Sequence, residues 1–386
     1  MRQLYIVSSL AAIAASNLFS AQDMPENKDC CYYQGEMLTG ACHSPQYSAP
    51  AKISLQDACC NKKCSDLFLD ASFLYWYASQ DGMVLGFSLD LQSTSRLSYN
   101  LGSSTLIQSF SYDPGFKVGI GYGLDEWELH AEYTWLRQKS TLSSDATTKN
   151  TKGGAYTPVW YVGTWYAQGV GQYGSGISAT HVNSTWALDM DLIDLTIGRP
   201  YYNSRCITVS PFGGLRTAWI RQNLSINATV PAAAVFNNTL TRDPVYSHNR
   251  SNCWGIGPTA GAGCHWLVGQ GFRVEGEGGL SVLFTQYTRI FHTEGTAESS
   301  DPLPAYKISM EDYNCLRTMA NLGLGIGWGR YLNAGRYHLD FSADYEFNVF
   351  WNQNMMRTMI DQLIFEAGTS NDLYLHGLTF TGRFDF

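Results

Sequence analysis

The chain has 386 residues, of which 45% are hydrophobic, 14% aromatic and 15% charged. The hydrophobic fraction excludes a disordered chain, and the charged fraction is below the roughly 25% of soluble domains. A formal charge of −8 argues against nucleic acids and acidic lipids as partners. With 37 Gly, 24 Tyr and 11 Trp, the composition favours a large β-protein in an unusual solvent.

Residues 1–21 have the features of a secretory signal peptide. Arg2 precedes an apolar run from Leu4 to Ala15, and small residues allow cleavage after Ser16 or Ala21. The run is shorter than the roughly 20 residues of a membrane-spanning helix, and no later segment qualifies as one. Loss of Arg2 with this peptide changes the formal charge from −8 to −9.

Residues 22–66 form a cysteine-rich segment that we expect in the periplasm. Export and an even number of cysteines favour disulfides. Zinc binding is the competing interpretation, but CCNKKC lacks paired CxxC spacing and an adjacent His. Adjacent cysteines rarely bond each other, so each doublet is expected to reach separate partners, including other envelope proteins. The candidate disulfide cysteines are Cys30, Cys31, Cys42, Cys59, Cys60, Cys64, Cys206, Cys253, Cys264 and Cys315.

Residues 67–386 repeatedly alternate apolar and polar side chains, which predicts half-buried strands. The alternation is interrupted near Ile193, which predicts a bulge there. In 337–349, Phe341 and its odd-numbered neighbours are expected to face lipid, and even-numbered residues such as Ser342 a lumen. The predicted strands are 67–77, 115–123, 126–136, 186–197, 206–220, 259–268, 271–284, 317–329, 337–349 and 373–386.

Short and long connections alternate between these strands. The short ones are Leu124-Asp125, 198–205, Gly269-Gln270 and 330–336, and the long ones are 78–114, 137–185, 221–258, 285–316 and 350–372. This asymmetry is typical of a transmembrane antiparallel β-barrel in the bacterial outer membrane, with periplasmic turns and extracellular loops. Three further hairpins in the long connections would give about 16 strands, and counts of 10 to 18 fit the pattern.

Two long connections carry further signals. Residues 351–367 place Met356, Met359 and Ile360 at helical spacing, which predicts an amphipathic helix in the last extracellular loop. It either packs on the loop surface or folds inward and narrows the pore. Segment 137–185 is interpreted as a mobile loop with a weak hairpin, and a constriction loop is the alternative.

No catalytic motif, metal site or cofactor site is predicted. His130 beside Glu128 and Glu132, or His338 beside Asp340, could form acid–base pairs, but charges that line a water-filled lumen produce the same pattern. A mild cation preference follows from their acidic excess. The candidate pore-lining residues are Lys117, Glu128, His130, Glu132, Asp189, Asp191, Arg273, Glu275, Glu277, His338, Asp340, Asp344, Glu346 and Arg383.

Several segments resemble one family. DLFLDASFLYWYASQDGM resembles the FLYW segment that starts the barrel of Legionella-type major outer membrane proteins and their relatives in environmental chlamydiae. YDPGFKVGIGYGLDEWELHAEYTWL resembles the next landmark, PFGGLRTAWIRQ the central strand, and FWNQNMMRTMI with LYLHGLTFTGRFDF the closing helix and strand. The landmarks span about 68–386, but the cysteine-dense leader is not part of them.

The resemblance implies an abundant outer-membrane β-barrel porin, often cross-linked by disulfides and without catalytic residues. It transfers only structural landmarks, at Phe73–Trp76, Asp113–Tyr122, Pro211–Gln222 and Trp351–Phe386. We therefore expect a passive channel for small hydrophilic solutes and ions that also has a disulfide-linked structural role in the envelope. A structural or adhesive barrel without an open pore, and a soluble lectin-like protein, are the alternatives. Outer-membrane lipid is the expected partner, and a homotrimer is expected from barrel size alone.

Overall fold

The computed structural model describes residues 67–90, 104–124, 127–145, 154–163, 166–167, 179–202, 206–230, 234–236, 239–241, 244–296, 306–332, 337–363 and 371–386. The predicted signal peptide and the cysteine-rich segment 22–66 lie outside the described residues. No helix among the described residues is long and apolar enough to cross a membrane.

Ten antiparallel strands form a closed barrel in the described part of the chain. Each strand pairs with its neighbours in sequence, and the first strand pairs with the last, with Phe73 opposite Phe380. The strands are β1 Leu67–Gln80, β2 Tyr112–Leu124, β3 Trp127–Asp145, β4 His181–Gly198, β5 Ile207–Thr229, β6 Val245–Gly269, β7 Phe272–Thr296, β8 Tyr313–Leu332, β9 Tyr337–Phe350 and β10 Leu373–Asp385. The barrel class is confirmed, but the expectation of about 16 strands is wrong.

The long connections lengthen the strands instead of adding hairpins to the barrel. β6 and β7 have 25 residues each, whereas about 9–11 residues are enough to cross a bilayer. Other loop residues form two small sheets beside the barrel and two short strands paired with β7 and β5. One small sheet contains Val84–Asp90, Thr105–Ile107 and Gly154–Pro158, and the other contains Tyr166–Ala167, Ala234–Phe236 and Thr239–Thr241. Tyr306–Met310 pairs with β7, and Tyr201–Tyr202 pairs with β5. Gly154–Pro158 pairs with Val84–Asp90, and Tyr156 also forms an isolated antiparallel bridge to Ala179. Residues 164–165 and 168–178 lie outside the described residues, so the hairpin predicted within 137–185 stays a prediction.

The short turns lie at one end of the barrel, together with both ends of the described chain. The Phe386 amide donates to the Leu67 carbonyl there, at 3.0 Å. In the turn between β6 and β7, Gln270 and Gly271 both have positive φ, 55° and 83°. Two such residues match the type I′ turn that best connects twisted strands. By the usual arrangement of outer-membrane barrels, this end faces the periplasm.

The outer face of the barrel is apolar in its periplasmic half. Side chains there are large, hydrophobic and exposed because no protein covers them, and we call them the apolar belt. The belt includes Val118, Ile120, Ile193, Leu195, Ile197, Val274, Leu280, Leu324, Ile326, Phe341 and Phe380. Such a band is what a barrel presents to lipid hydrocarbon.

The polar and apolar faces of β4 change sides halfway along the strand. Its register with β3 and β5 is unbroken, so the predicted bulge near Ile193 is absent. Odd-numbered residues point outward throughout, and they are apolar at Ile193 and Leu195 but acidic at Asp189 and Asp191. Inward residues change in the opposite sense, from Asp194 to fully buried apolar side chains. The extracellular half of β4 therefore has its polar face in water and its apolar face inside the barrel.

An apolar core fills the extracellular half of the barrel. Helix α1, Met355–Leu363, contributes Met356, Met359 and Ile360 to this core, and each is at most 2% exposed. The Asn354 side chain accepts a hydrogen bond from the Arg357 amide at 3.1 Å, as an N-cap does. The helix prediction is confirmed over 355–363, and the helix folds inward instead of lying on the loop surface.

Candidate functional site

A polar cavity of about 960 Å³ occupies the periplasmic half of the barrel interior. Twelve of the predicted pore-lining residues line it: Lys117, Glu128, His130, Glu132, Arg273, Glu275, Glu277, His338, Asp340, Asp344, Glu346 and Arg383. They come from five strands and converge because the alternation turns one face of each strand inward. The cavity begins at the short-turn end, near Arg199 and Tyr331.

Asp189 and Asp191 do not line the cavity, so their prediction as pore-lining residues is corrected. They lie on the outer face of β4, where Arg137 Nη2 contacts Asp191 Oδ2 at 2.8 Å and Asp189 is 47% exposed. The predicted phase change placed them on the wrong face. The uninterrupted alternation of β4 instead places Asp194 in the cavity wall.

Lys117 lies at the centre of the cavity and binds two carboxylates. Its Nζ is 2.9 Å from Glu346 Oε2 and 3.8 Å from Glu132 Oε1. It also lies 5.4 Å from the centroid of the Trp76 ring. Three strands, β2, β3 and β9, therefore meet at one ammonium group across the lumen.

Arginines cross-link the rest of the wall. Arg273 binds Asp340 and Glu275, while Arg383 Nε is 2.7 Å from Asp385 and its Nη1 is 3.3 Å from Glu128. The Arg383 guanidinium also lies 3.4 Å from the centroid of the Phe68 ring. Planar guanidinium groups suit such paired contacts with carboxylates.

Arg216 and Asp194 also line the cavity, although the sequence did not predict them. Arg216 Nε and Nη2 bind Asp194 at 2.6 and 2.9 Å, and both side chains are nearly buried. Arg216 lies in LRTAWI of β5, where alternation with outward Leu215 and Thr217 gives the only sequence signal for its inward position.

The lining is acidic overall. Ten carboxylate side chains and five basic ones line the cavity, not counting His. Glu277 and Asp344 form no ion pair with any described residue, although the Ser342 hydroxyl donates to Asp344 at 2.7 Å. An aqueous lumen can keep such groups hydrated, whereas a dry core would make them costly.

The two histidines bind carboxylates other than those considered from the sequence. His130 Nε2 of β3 is 2.8 Å from Asp70 Oδ1 of β1, across the intervening β2, and His338 Nδ1 is 2.8 Å from Asp385 Oδ2. Neither contact includes Glu128, Glu132 or Asp340. Among the described residues, no group of three His, Cys, Asp or Glu is arranged to hold a metal ion.

The cavity ends at the apolar core described above. Trp76, Leu192 and Met319 line the cavity and also belong to that core. Above them, α1 and segment 159–163 fill the barrel, and we call these two elements the plug. Arg357 joins them by donating to the Val159 carbonyl at 3.1 Å and lying over the Trp160 ring.

The barrel wall holds both parts of the plug, and Arg317 Nη2 of β8 contacts Met355 Sδ of α1 at 2.9 Å. The Glu294 carboxylate accepts hydrogen bonds from the Val162 and Gly163 amides at 2.9 and 2.5 Å. Ser247 donates to the Trp160 carbonyl at 2.8 Å. Burial, followed by the nearby Glu294 charge, raises the pKa of Tyr161 well above its usual range. Because the plug and the apolar core fill the extracellular half of the barrel, the lumen is closed by apolar packing on that side and is open toward the periplasmic end.

The described cysteines only partly match the disulfide prediction. Cys253, Cys264 and Cys315 are free thiols, so the prediction is wrong for these three, whereas Cys206 is disulfide-bonded. Cys253 and Cys315 lie on β6 and β8, and β7 separates them by two strand spacings, about 10 Å, which is too far for a disulfide. Cys264 points outward on β6. The six cysteines between 30 and 64 lie outside the described residues.

A family model described as Legionella pneumophila major outer membrane protein precursor matches residues 59–386. The comparison with curated proteins gives no match. The chain is similar to the outer membrane protease OmpT of Escherichia coli, with 9% identity, a TM-score of 0.38 and coverage of 84% of this chain and 99% of OmpT.

It is also similar to the toluene transporter TodX of Pseudomonas putida, with 7% identity, a TM-score of 0.21 and coverage of 83% and 89%. At these TM-scores the likenesses carry no argument about function. The family match covers most of the chain, and it agrees with the resemblance noted in the sequence. The chain belongs to the family of the Legionella pneumophila major outer membrane protein and is a β-barrel of the bacterial outer membrane.

Proposed function

We propose that this barrel is a diffusion channel for small hydrophilic solutes and ions, and that the structure described here is its closed state. The observation that supports the proposal is the charged cavity of about 960 Å³ in the lipid-facing half of the barrel. Barrels with few strands usually fill their interior with side chains, and those with 16–18 strands leave an aqueous channel. Ten strands therefore limit the proposal to ions and small solutes.

Passage through the barrel requires the plug to move. The apolar faces of α1 and the Trp160 segment occupy the extracellular half, and the charged groups beside them, such as Glu294 and Arg357, are engaged in holding the plug. Specific polar contacts hold the plug, such as those of Arg357 with the Val159 carbonyl and of Glu294 with the Val162 amide. Displacement of the plug would connect the cavity to the extracellular side.

A structural or adhesive barrel without an open pore is the second candidate. The apolar closure favours it, because an interior that is closed by packed side chains needs no moving part. We propose no enzymatic activity, since the two histidines each contact a carboxylate within a wall that also suits a channel, and the family is that of a major outer membrane protein.

Conductance in planar bilayers separates the two candidates. We expect refolded wild-type protein to give small, intermittent current steps, and the double variant Met359→Gln/Ile360→Gln to increase the open fraction about tenfold or more. The reason is that each buried amide without a partner costs about 1–3 kcal/mol in the closed state. Gln362→Ala changes an exposed residue of the same helix and should leave the open fraction unchanged. Silence of both wild type and double variant would establish the closed structural barrel.

We also propose that cysteines of segment 22–66 link the barrel to other envelope proteins. The proposal is supported by six cysteines in a short exported segment before the barrel. Non-reducing gels of envelope preparations should show large species that collapse to monomer with a reductant. Changing all six of these cysteines to Ser should remove the large species, whereas Cys264→Ser should not. Monomer in both lanes of the wild type would contradict the proposal.

A further inference from the structure

Six basic side chains lie on the outer face of one side of the barrel. They are Arg137, Lys139, Arg221, Arg250, Arg289 and Lys307, and we call them the basic band. They occupy β3, β5, β6, β7 and the short strand Tyr306–Met310. All but Arg137 are exposed, and they share the outward face with the residues of the apolar belt on the same strands.

The strand register places these residues in adjacent rows. Arg137 is opposite Asp189, and Asp189 is opposite Arg221. Arg221 is opposite Asn252, which is opposite Arg289. One row therefore runs across five neighbouring strands. Arg250 lies one row farther from the belt, opposite Phe291.

A row of tryptophans lies directly below. Trp135 is opposite Asp191, Asp191 is opposite Trp219, and Trp219 is opposite Trp254. Tryptophans at this position mark the boundary between hydrocarbon and headgroups. Because successive outward residues are about 6–7 Å apart along a strand, the basic band begins at headgroup height.

The band carries an excess of positive charge in a chain that is acidic overall. Among the described residues, its six cations face two outward carboxylates in the same rows, Asp189 and Asp191, and two exposed ones, Glu311 and Asp312, that follow Met310 beside β7. Arg137 binds Asp191 closely, while Arg221 is 3.6 Å or more from both carboxylates and is 53% exposed. The other four cations form no ion pair among the described residues.

Two of those cations share one aromatic ring. The Arg289 guanidinium lies 5.0 Å and the Lys307 ammonium 5.5 Å from the centroid of Phe291. The ring holds the two groups near each other although their charges repel, because a cation over an aromatic face is attracted to it. The pair is thus arranged to share an anion.

The opposite side of the barrel lacks such a band. At the same height, the outward residues of β1, β2, β9 and β10 include Tyr77, Tyr112, Tyr345 and His376, which pack against one another. No described Lys or Arg points outward there. The asymmetry distinguishes a localised binding surface from a general attraction to an anionic membrane.

We propose that the basic band binds the phosphate groups of phosphorylated saccharolipid headgroups in the outer leaflet. The band faces the lipid and not the lumen, and it lies on the extracellular side of the belt. Arginine side chains hold phosphate through paired hydrogen bonds, and lysines add charge. The formal charge of the whole chain argued against acidic lipids, but that sum hides a local surface of opposite sign.

Lipid retention on the mature protein tests the proposal. Native mass spectrometry should detect diphosphoryl lipid A bound to the detergent-solubilised barrel much more strongly than the same lipid without its phosphates. Each basic group near a headgroup contributes on the scale of a fivefold change in affinity, so Arg289→Gln should weaken binding about fivefold and Lys139→Gln/Arg250→Gln/Arg289→Gln about a hundredfold. Arg330→Gln is the matched control, because Arg330 is exposed on the periplasmic half of β8.

Two results would overturn the proposal. One is equal retention of the phosphorylated and dephosphorylated lipids by wild type, and the other is an unchanged preference in the folded triple variant. If the triple variant does not fold, raising the salt concentration with wild type replaces it. Screening should then weaken retention of the phosphorylated lipid alone, and a salt-independent preference would contradict the proposal.

Discussion

Lys117 is held in the cavity by two acidic neighbours from different strands, Glu132 of β3 and Glu346 of β9. Burying an ammonium group is costly unless carboxylates compensate it, and Glu346 and Glu132 do so at 2.9 and 3.8 Å. At the residue scale, most charges of the lumen are paired in this way. Glu277 and Asp344 are exceptions, because no described cation binds them, and water in the cavity must hydrate them.

Whether a side chain points into the cavity or toward lipid determines how much a charge at that position lowers the free energy of unfolding. Phe341 is 50% exposed on the belt, while its neighbour Ser342 lines the cavity. We predict that Phe341→Lys lowers the free energy of unfolding by about 2–4 kcal/mol, because a cation at mid-membrane height loses hydration. Urea titration of the protein folded into lipid vesicles measures this.

Ser342→Lys is the control for that prediction. It adds the same charge one residue away, where acidic neighbours and water can accommodate it, so its unfolding free energy should change by less than about 1 kcal/mol. Its conductance, in contrast, should change. Equal destabilisation by the two substitutions would show that the assignment of faces on β9 is wrong.

At the element scale, β4 and α1 show how solvent determines the meaning of an amphipathic pattern. The alternation in β4 is regular, but the medium outside the barrel changes from lipid to water along the strand. A polar residue therefore points inward at Asp194 and outward at Asp191. The apolar stripe of α1 was visible in the sequence, but a stripe does not specify which surface covers it.

Chemical labelling tests the inversion along β4. Asp189 and Leu195 both point outward, and they are separated by six residues on one strand. We predict that a membrane-impermeant maleimide labels Asp189→Cys on intact cells and leaves Leu195→Cys unlabelled, because lipid covers the latter. The parent protein is the control, because its own cysteines, such as the exposed Cys264, set the background labelling. Equal labelling at both positions would contradict a membrane boundary between them.

At the scale of the whole molecule, ten long strands replace the larger barrel that loop lengths suggested. Strands β3 to β8, with 18 to 25 residues each, continue well above the belt, so many residues assigned to loops are wall and the interior is narrower. The narrow interior lets one short helix and the Trp160 segment close the extracellular half. The homotrimer stays a prediction, since no residue of the described chain identifies an interface between copies.

The sequence by itself determined the β-barrel, the positions of the lipid-facing strand segments, the helix near 355–363 and twelve residues of the cavity wall. These follow from local periodicity, because each strand repeats the same two-sided contrast over several residues. Only the tertiary structure decided the strand count, the outward position of Asp189 and Asp191, the Arg216–Asp194 pair and the inward fold of α1. Each of these depends on contacts between segments far apart in the chain, or on where the membrane ends, and local periodicity contains neither.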